Sequence, residues 1–310
     1  MNIAPQLRPL GIGDLFDAAF RVYRERFWTL IAITAVVYVP TAILRLFLWP
    51  WFFGAAGLGA GGGFSMLSFY TGSFISSTLW SLTLGNLLNG ALVNAIACAY
   101  LGKPVSPIDA YRFGVERYVA LVFASIIPLL ISGLAGIIPS LLGSIPYLLF
   151  RFFLIGPAPG PQSGLEDLPI VLFCLSALVA FQLALLLLYA YFLLVPQAII
   201  LEEKRPTAGI ARSWSLVRGS ARRALGIVIA TGILGFLVSS APALLGSFLF
   251  FRMPGMDSML ISTLLGAIGL AGQILVQPIL FAIFTLFYYD QRIRKEGYDL
   301  ELMATQASAG

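Results

Sequence analysis

Histidine is absent from all 310 residues. Without it there is no Ser-His-Asp triad, no His-bearing zinc site and no HExxH pair, and the commonest general base is gone. Charge is scarce as well: Asp, Glu, Lys and Arg make up 11% of the chain, against about 25% in an ordinary soluble domain. The two cysteines, Cys98 and Cys174, both fall inside apolar runs, where they read as small core side chains and not as a disulfide or a metal site. A signal-peptide layout is also missing, since four arginines precede the first apolar run and no small-residue cleavage site follows it. The adjacent carboxylates Glu166 and Asp167 read as a solvated acidic pair in a connecting loop, so no acid–base dyad is expected. A Gly-x-Gly-x-x-Gly match at Gly57, Gly59 and Gly62 has neither a preceding strand nor a following phosphate-binding helix, and reads as a flexible connector. These absences predict a protein that is not an enzyme and carries no metal or cofactor.

In their place stand long oily runs. Hydrophobic residues are 59% of the chain and its mean hydropathy is +0.92. Residues 118–150 and 168–201 carry no charge, and about 20 apolar residues are enough for a helix to cross the hydrocarbon of a bilayer. Six spans are expected, near 27–49, 70–100, 118–138, 169–197, 223–248 and 260–288, paired into three hairpins. Pro128, Pro139 and Pro146 interrupt the run from 118 to 150, whose far end is expected to bend or lie in the interface, while Pro196 and Pro278 are expected to kink the fourth and sixth spans.

Orientation follows from the basic residues. Residues 1–26 hold four Lys and Arg, 102–117 three, 202–223 six and 290–310 three, which is sixteen of nineteen. Arg45, Arg151 and Arg252 lie at the other ends of the hairpins. The positive-inside rule then places both termini and both loops between hairpins in the cytoplasm, with the protein in the cell membrane. These charges flank apolar spans instead of clustering on a polar domain, so nucleic acid is not an expected partner; anionic lipid headgroups are.

An internal repeat is visible. Residues 139–144 read PSLLGS and residues 242–247 read PALLGS, and at the same offset Ala110 and Tyr111 align with Ser213 and Trp214. A more diverged copy sets Arg21, Glu25, Arg26 and Phe27 against Arg112, Glu116, Arg117 and Tyr118. The repeat units run approximately over 8–101, 104–201 and 205–296, each a surface helix followed by a hairpin. In the first surface helix Ile12, Leu15, Phe16, Ala19, Val22, Tyr23 and Phe27 recur at three and four, with Asp14, Asp17, Arg21, Arg24 and Glu25 opposite. The second opens on Ser106, Pro107 and Asp109, which supply a side-chain cap, a proline where no donor is needed and an anion at the positive end. The third carries Trp214, Leu216 and Val217 beside its arginines. Two placements are open for these helices: in the headgroup layer, with Arg21, Arg24, Arg112, Arg117, Arg212, Arg218, Arg222 and Arg223 toward phosphates, or packed under the bundle.

The segments GIGDLFDAAFRVYRERFW at 11–28, ARSWSLVRG at 211–219 and YYDQRIRKEGYDLELM at 288–303 resemble the membrane domain of bacterial glycerophosphoryl diester phosphodiesterases and its stand-alone relatives. The similarity spans nearly the whole chain. It implies the helical membrane fold and a link to membrane lipids. The hydrolytic barrel of that family, with its histidines and metal-binding carboxylates, has no counterpart in these residues, so no catalytic position carries over.

Amides inside the spans are the remaining functional signal, because an unpartnered amide in lipid costs several kcal/mol. Asn86, Asn89 and Asn94 lie on the second span, Gln182 and Gln197 on the fourth, and Gln273 and Gln277 on the sixth. They either hydrogen-bond between helices or line a polar path, with Asn86, Asn89, Asn94, Gln182, Gln273 and Gln277 as the candidate path. No charged residue lies mid-membrane. The expectation is therefore an all-α polytopic bundle acting without catalysis in lipid-related membrane organisation, sensing or partner recruitment. The alternatives are a small-solute or lipid transporter and a membrane subunit of a separate phosphodiesterase; a homo-oligomer or a protein partner is left open.

Overall fold

At Arg26 and again at Arg117 the chain turns through nearly a right angle. Helix α1 (Ile12–Glu25) meets the first 17 residues of α2 (Phe27–Gly54) at 83°, and α4 (Pro107–Glu116) meets α5 (Tyr118–Ile131) at 72°. Arg26 and Arg117 cap α1 and α4 with similar backbone angles, φ −119° and −105°. The computed structural model describes residues 9–54, 78–131, 134, 168–252, 258–298 and 300. The Gly57–Gly63 connector, the PSLLGS copy at 139–144, Pro139, Pro146 and the Glu166–Asp167 pair lie outside them.

All the regular structure among the described residues is helical. A π-helical turn (Ser81–Gly85) leads into α3 (Asn86–Tyr100); then follow α6 (Leu168–Phe192), α7 (Val195–Leu201), α8 (Pro206–Val217), α9 (Ala221–Arg252) and α10 (Ser258–Glu296). Among the described residues four helices are long and apolar enough to cross a membrane, or up to six if each bent pair forms one span: Thr78–Tyr100, Phe181–Leu201, Ala221–Gly246 and Leu264–Glu296, with the two bent pairs. Val36, Ile43, Phe123, Leu130, Ile233, Phe236 and Leu244 all stand exposed on these helices. Water does not tolerate so continuous an apolar surface, whereas lipid tails cover it without cost.

Why α1 forms where it does is plain in its residues. Asp14 reaches back to the backbone N–H of Gly11 at 3.1 Å, and Arg24 sits in the last turn, so both helix ends meet complementary charge. Leu15, Ala19, Val22 and Tyr23 are buried on one face; Asp14, Asp17, Arg21, Arg24 and Glu25 are exposed on the other. The buried face packs mainly on α10, so these apolar residues are covered by protein.

One detail differs from the sequence expectation. Ser106 does occupy the cap position of α4, but its side chain makes no capping bond; its backbone carbonyl accepts from Ala110 N–H at 3.0 Å, while Pro107 and Asp109 fill the first turn as expected. Pro278 lies inside an α10 that continues without a break, and Pro242 likewise inside α9. The interruption near Pro196 falls at Leu193–Leu194, between α6 and α7.

Helix α10 holds the molecule together, packing against α1, α2, α3, α8 and α9. Its inner face supplies Ala282, Ile283, Leu286, Phe287 and Tyr288, all fully buried. Elsewhere small residues allow close approach: α3 and α4 cross at Gly90 and Gly114, where a Cβ on Gly114 would stand 3.1 Å from the backbone nitrogen of Ala91.

Candidate functional site

The intramembrane amides do not meet in one place. Asn86 and Asn89 line a cleft of about 270 Å³ between α3, α5 and the α6–α7 junction, together with Ser81, Ser125, Leu193 and Pro196. Gln273 and Gln277 line another, of about 190 Å³, with Tyr38, Gly235, Val238 and Ser239 between α2, α9 and α10. The two clefts share no lining residue. Asn94 accepts a weak bond from Cys98 Sγ at 3.8 Å, and Gln182 is exposed on α6. Asn86 Nδ2 donates to Ser125 Oγ at 2.9 Å and to the Leu82 carbonyl at 3.4 Å. Gln197, one residue beyond Pro196, is buried and neither of its amide atoms finds a partner.

The walls of the first cleft are irregular by construction. At Leu193–Leu194 the helix opens, and Ser213 of α8 repairs it by accepting from Leu194 N–H at 3.2 Å and donating to the Tyr191 carbonyl at 2.6 Å. Trp214, the next residue, stacks on Tyr191 with ring centroids 4.3 Å apart. Non-helical backbone at membrane depth persists only where protein or a cavity satisfies it, and Ser213 does part of that.

The densest chemistry lies at the polar ends of α8, α9 and α10. Glu202 is held by Arg212, whose Nε stands 2.9 Å from both carboxylate oxygens, and by the hydroxyl of Tyr288. Arg292 adds a contact at 3.6 Å and Lys204 one at 3.4 Å. Arg212 also bridges to Glu296, Nη2 to Oε2 at 2.6 Å, and the guanidinium of Arg292 sits 3.9 Å over the Tyr298 ring. Burial pushes the Glu202 carboxyl up, but hydrogen bonds from Arg212 and Tyr288 and the charges of Arg212 and Arg292 outweigh it and hold it below its ordinary range. The Arg212 guanidinium is raised, first by its hydrogen bond to Glu296 and against the opposing effect of burial.

A second node captures both backbone polar groups of one residue, Leu10. The buried carboxylate of Asp290 accepts from Leu10 N–H at 2.8 Å, from Arg294 Nε at 3.1 Å and pairs with Arg223 Nη1 at 3.0 Å. Arg223 and Arg294 both donate onward to the Leu10 carbonyl, Arg294 at 2.7 Å. Ser220 completes the node through Gln291 at 2.8 Å. Lys295 reaches the exposed carbonyls of Ser215 and Arg218, capping the end of α8.

Of the arginines expected at headgroups, Arg212 and Arg223 are thus engaged within the chain, and Arg117 pairs with Glu203. Arg112 lies 4.0 Å from Glu116 with both side chains largely exposed. Arg21, Arg24, Arg218 and Arg222 are exposed, and their side chains pair with no described residue. Sequence reasoning singled out neither Glu202, Asp290 nor Glu296, although Asp290 and Glu296 lie inside the segment 288–303 that stood out as a motif. No group of three or more potential metal-ligating side chains occurs among the described residues.

No protein-family model matches the chain, and neither does any curated protein or solved structure. What the site does must therefore be argued from its own chemistry. The two polar nodes join the segment before α1 to α9 and α10, and α8 to α10, and so brace the helix ends against one another. Their carboxylates are engaged by Arg212 and Tyr288 at Glu202 and by Arg223, Arg294 and the Leu10 N–H at Asp290.

Proposed function

We propose that this is a non-catalytic, lipid-associated integral membrane protein acting in membrane organisation, sensing or partner recruitment. The observation that carries this reading is the division of the intramembrane amides: two are bound into one cleft, two into another that shares no residue with it, and Gln182 faces outward. A translocation path needs polar groups that succeed one another along a single route.

In the proposed arrangement six spans form three hairpins, each introduced by an amphipathic helix, with the arginine-bearing ends and both termini cytoplasmic in the cell membrane. Three features support it: the paired bends of 83° and 72° at Arg26 and Arg117, the one-sided burial of α1, and the grouping of exposed arginines around α1, α4 and α8. Arg21, Arg24, Arg112, Arg218 and Arg222 then meet anionic headgroups, while α1 is anchored by α10 beneath the bundle. The resemblance of 11–28, 211–219 and 288–303 to the glycerophosphoryl diester phosphodiesterase membrane domain points the same way, toward a lipid setting without hydrolysis. The second reading, a small-solute or lipid transporter, draws on the irregular helices around the α3–α5–α7 cleft.

Native mass spectrometry of the purified protein, paired with solute flux into proteoliposomes, tests the choice. Anionic lipid retained through purification with flux no greater than empty liposomes is the expected result. Saturable flux that disappears on Asn89→Leu would overturn the non-transporting reading.

A further inference from the structure

The cleft between α3, α5 and the α6–α7 junction is walled by three separate departures from regular helix. Ser81 belongs to a π-helical turn, Leu193 to a helix break and Pro128 to a helix that continues through a proline. Each departure interrupts the regular backbone ladder, and side chains supply part of what is missing: Ser213 donates to the Tyr191 carbonyl, and Asn86 and Tyr118 donate to that of Leu82. Asn89 reaches the same space with an amide that bonds to no described residue. At 1.5 Å per residue, Asn89 and Asn86 lie about 16 and 21 Å along α3 from Tyr100, which is well inside a hydrocarbon layer about 30 Å thick. The Asn89 amide, at that depth and without a partner among the described residues, calls for a polar ligand or water.

The chemistry narrows the ligand. Among the described residues no Asp, Glu, Lys or Arg lines the cleft, so none of them neutralises a phosphate or an ammonium at a depth where a bare charge is costly. What the walls offer is neutral: the amide of Asn89, the hydroxyl of Ser81, and the Asn86–Ser125 pair, bonded to each other at 2.9 Å with the acceptor capacity of Asn86 Oδ1 and Ser125 Oγ to spare. Tyr189 both lines the cleft and is 40% exposed, and Leu84, Phe123 and Leu130, on the segments that form its other walls, are exposed as well. The mouth therefore opens sideways, toward lipid. We infer that the cleft binds a neutral amphiphile, a membrane lipid whose polar group is an uncharged hydroxyl or amide, held head-first against Asn86, Asn89 and Ser125 with its chains in the bilayer. This rests on the lipid-associated reading above and gives it a ligand class.

A photoactivatable diacylglycerol, incorporated with the full-length protein into phosphatidylcholine nanodiscs, tests it. Crosslinks are expected on peptides spanning 81–89, 121–129 and 189–196. Asn89→Leu is expected to lower that labelling at least fivefold, while Gln273→Leu in the other cleft leaves it within twofold. If Asn89→Leu fails to fold, the crosslink map of the unaltered protein and the milder Ser125→Ala still decide. Phosphatidate with the same chains should compete at least tenfold more weakly than unlabelled diacylglycerol. Equal competition, labelling unmoved by Asn89→Leu in a folded protein, or crosslinks spread evenly over the exposed helices would overturn the inference. Should anionic lipids co-purify while no label reaches the cleft, this inference falls and the broader reading stands; should no lipid be retained at all, both fall.

Discussion

Replacing Asp290 should destabilise the fold more than any other single charge change. Its carboxylate is fully buried, while Arg223 opposite is 19% exposed and Arg294 39%. Truncation to alanine leaves Arg223 without its counter-charge; breaking a buried pair in this way costs about 3–5 kcal/mol, and the low end applies because the guanidinium keeps the Leu10 carbonyl. The Leu10 N–H is orphaned as well, which adds about 1 kcal/mol, giving a loss of about 4 kcal/mol. Asp290→Asn keeps an acceptor for Leu10 and should lose about 3 kcal/mol, since only the charge is gone. Arg294→Gln should cost under about 1 kcal/mol, because more than a third of that side chain already faces solvent. Reversible unfolding in mixed micelles, followed by tryptophan fluorescence, reads all three. A folded Asp290→Ala within about 1 kcal/mol of the parent, or indistinguishable from Arg294→Gln, refutes the claim that this node braces the helix ends.

Glycines give a paired prediction. Gly114→Ala should cost about 1–3 kcal/mol, because its new methyl meets the backbone of Ala91 and Leu87, which cannot turn aside, whereas the open, exposed Gly13 of α1 should gain about 0.5 kcal/mol on the same change; both are read in the same unfolding assay. Glu202 sets an acid limit. Its folded carboxyl lies below the ordinary value of 4.5, so its contribution is complete at neutral pH and is lost as pH falls below that value; Glu202→Gln should lower stability at pH 7 and flatten the acid limb of the stability–pH curve. Removing Arg21, Arg24 and Arg112 together as glutamines should weaken binding of the protein in nanodiscs to soluble anionic lipid headgroups. Discounting Arg112 for its exposed pairing with Glu116, the loss is about 2 kcal/mol, roughly thirtyfold, and should shrink in high salt.

Much of the architecture can be read from the residues because its causes are local. Charge-free stretches such as 168–201 dictate long apolar helices, and the three-and-four spacing of Leu15, Ala19, Val22 and Tyr23 dictates the buried side of α1. The site was far less legible. Glu202, Asp290 and Glu296 are ordinary charges at the ends of apolar runs, and only the fold reveals that Arg212 of α8 and Arg223 of α9 converge on them. The break at Leu193–Leu194 depends on Ser213, nineteen residues beyond Leu194, whose hydroxyl lends the bond that the helix lacks. Occupying a cap position does not fix a serine rotamer, so Ser106 stands at the start of α4 without its side chain making a capping bond. The amides were located correctly on their helices, but one polar residue per turn cannot say which neighbour its helix will face.

The placement of the charged nodes answers a problem that lipid imposes. Inside a bilayer, helices gain nothing from hiding apolar side chains from one another, since lipid tails serve as well. The outer stretches of α9 and α10 fit that condition: only 22% of the most apolar window in each is buried, and their contact relies on shape, with Gly269 against Pro242 and Gly272 against Val238. Association strong enough to fix one arrangement must come from where hydrogen bonds and charges can be shielded by protein. That is where the polar ends of α8, α9 and α10 meet α1, and there Glu202 and Asp290 each gather several donors. A bundle tied so firmly at one end and packed only by shape at the other can let its far helices part without unfolding. Loss of the Asp290 node should therefore loosen the whole molecule, whereas widening the Gly272–Val238 contact should loosen only that far end.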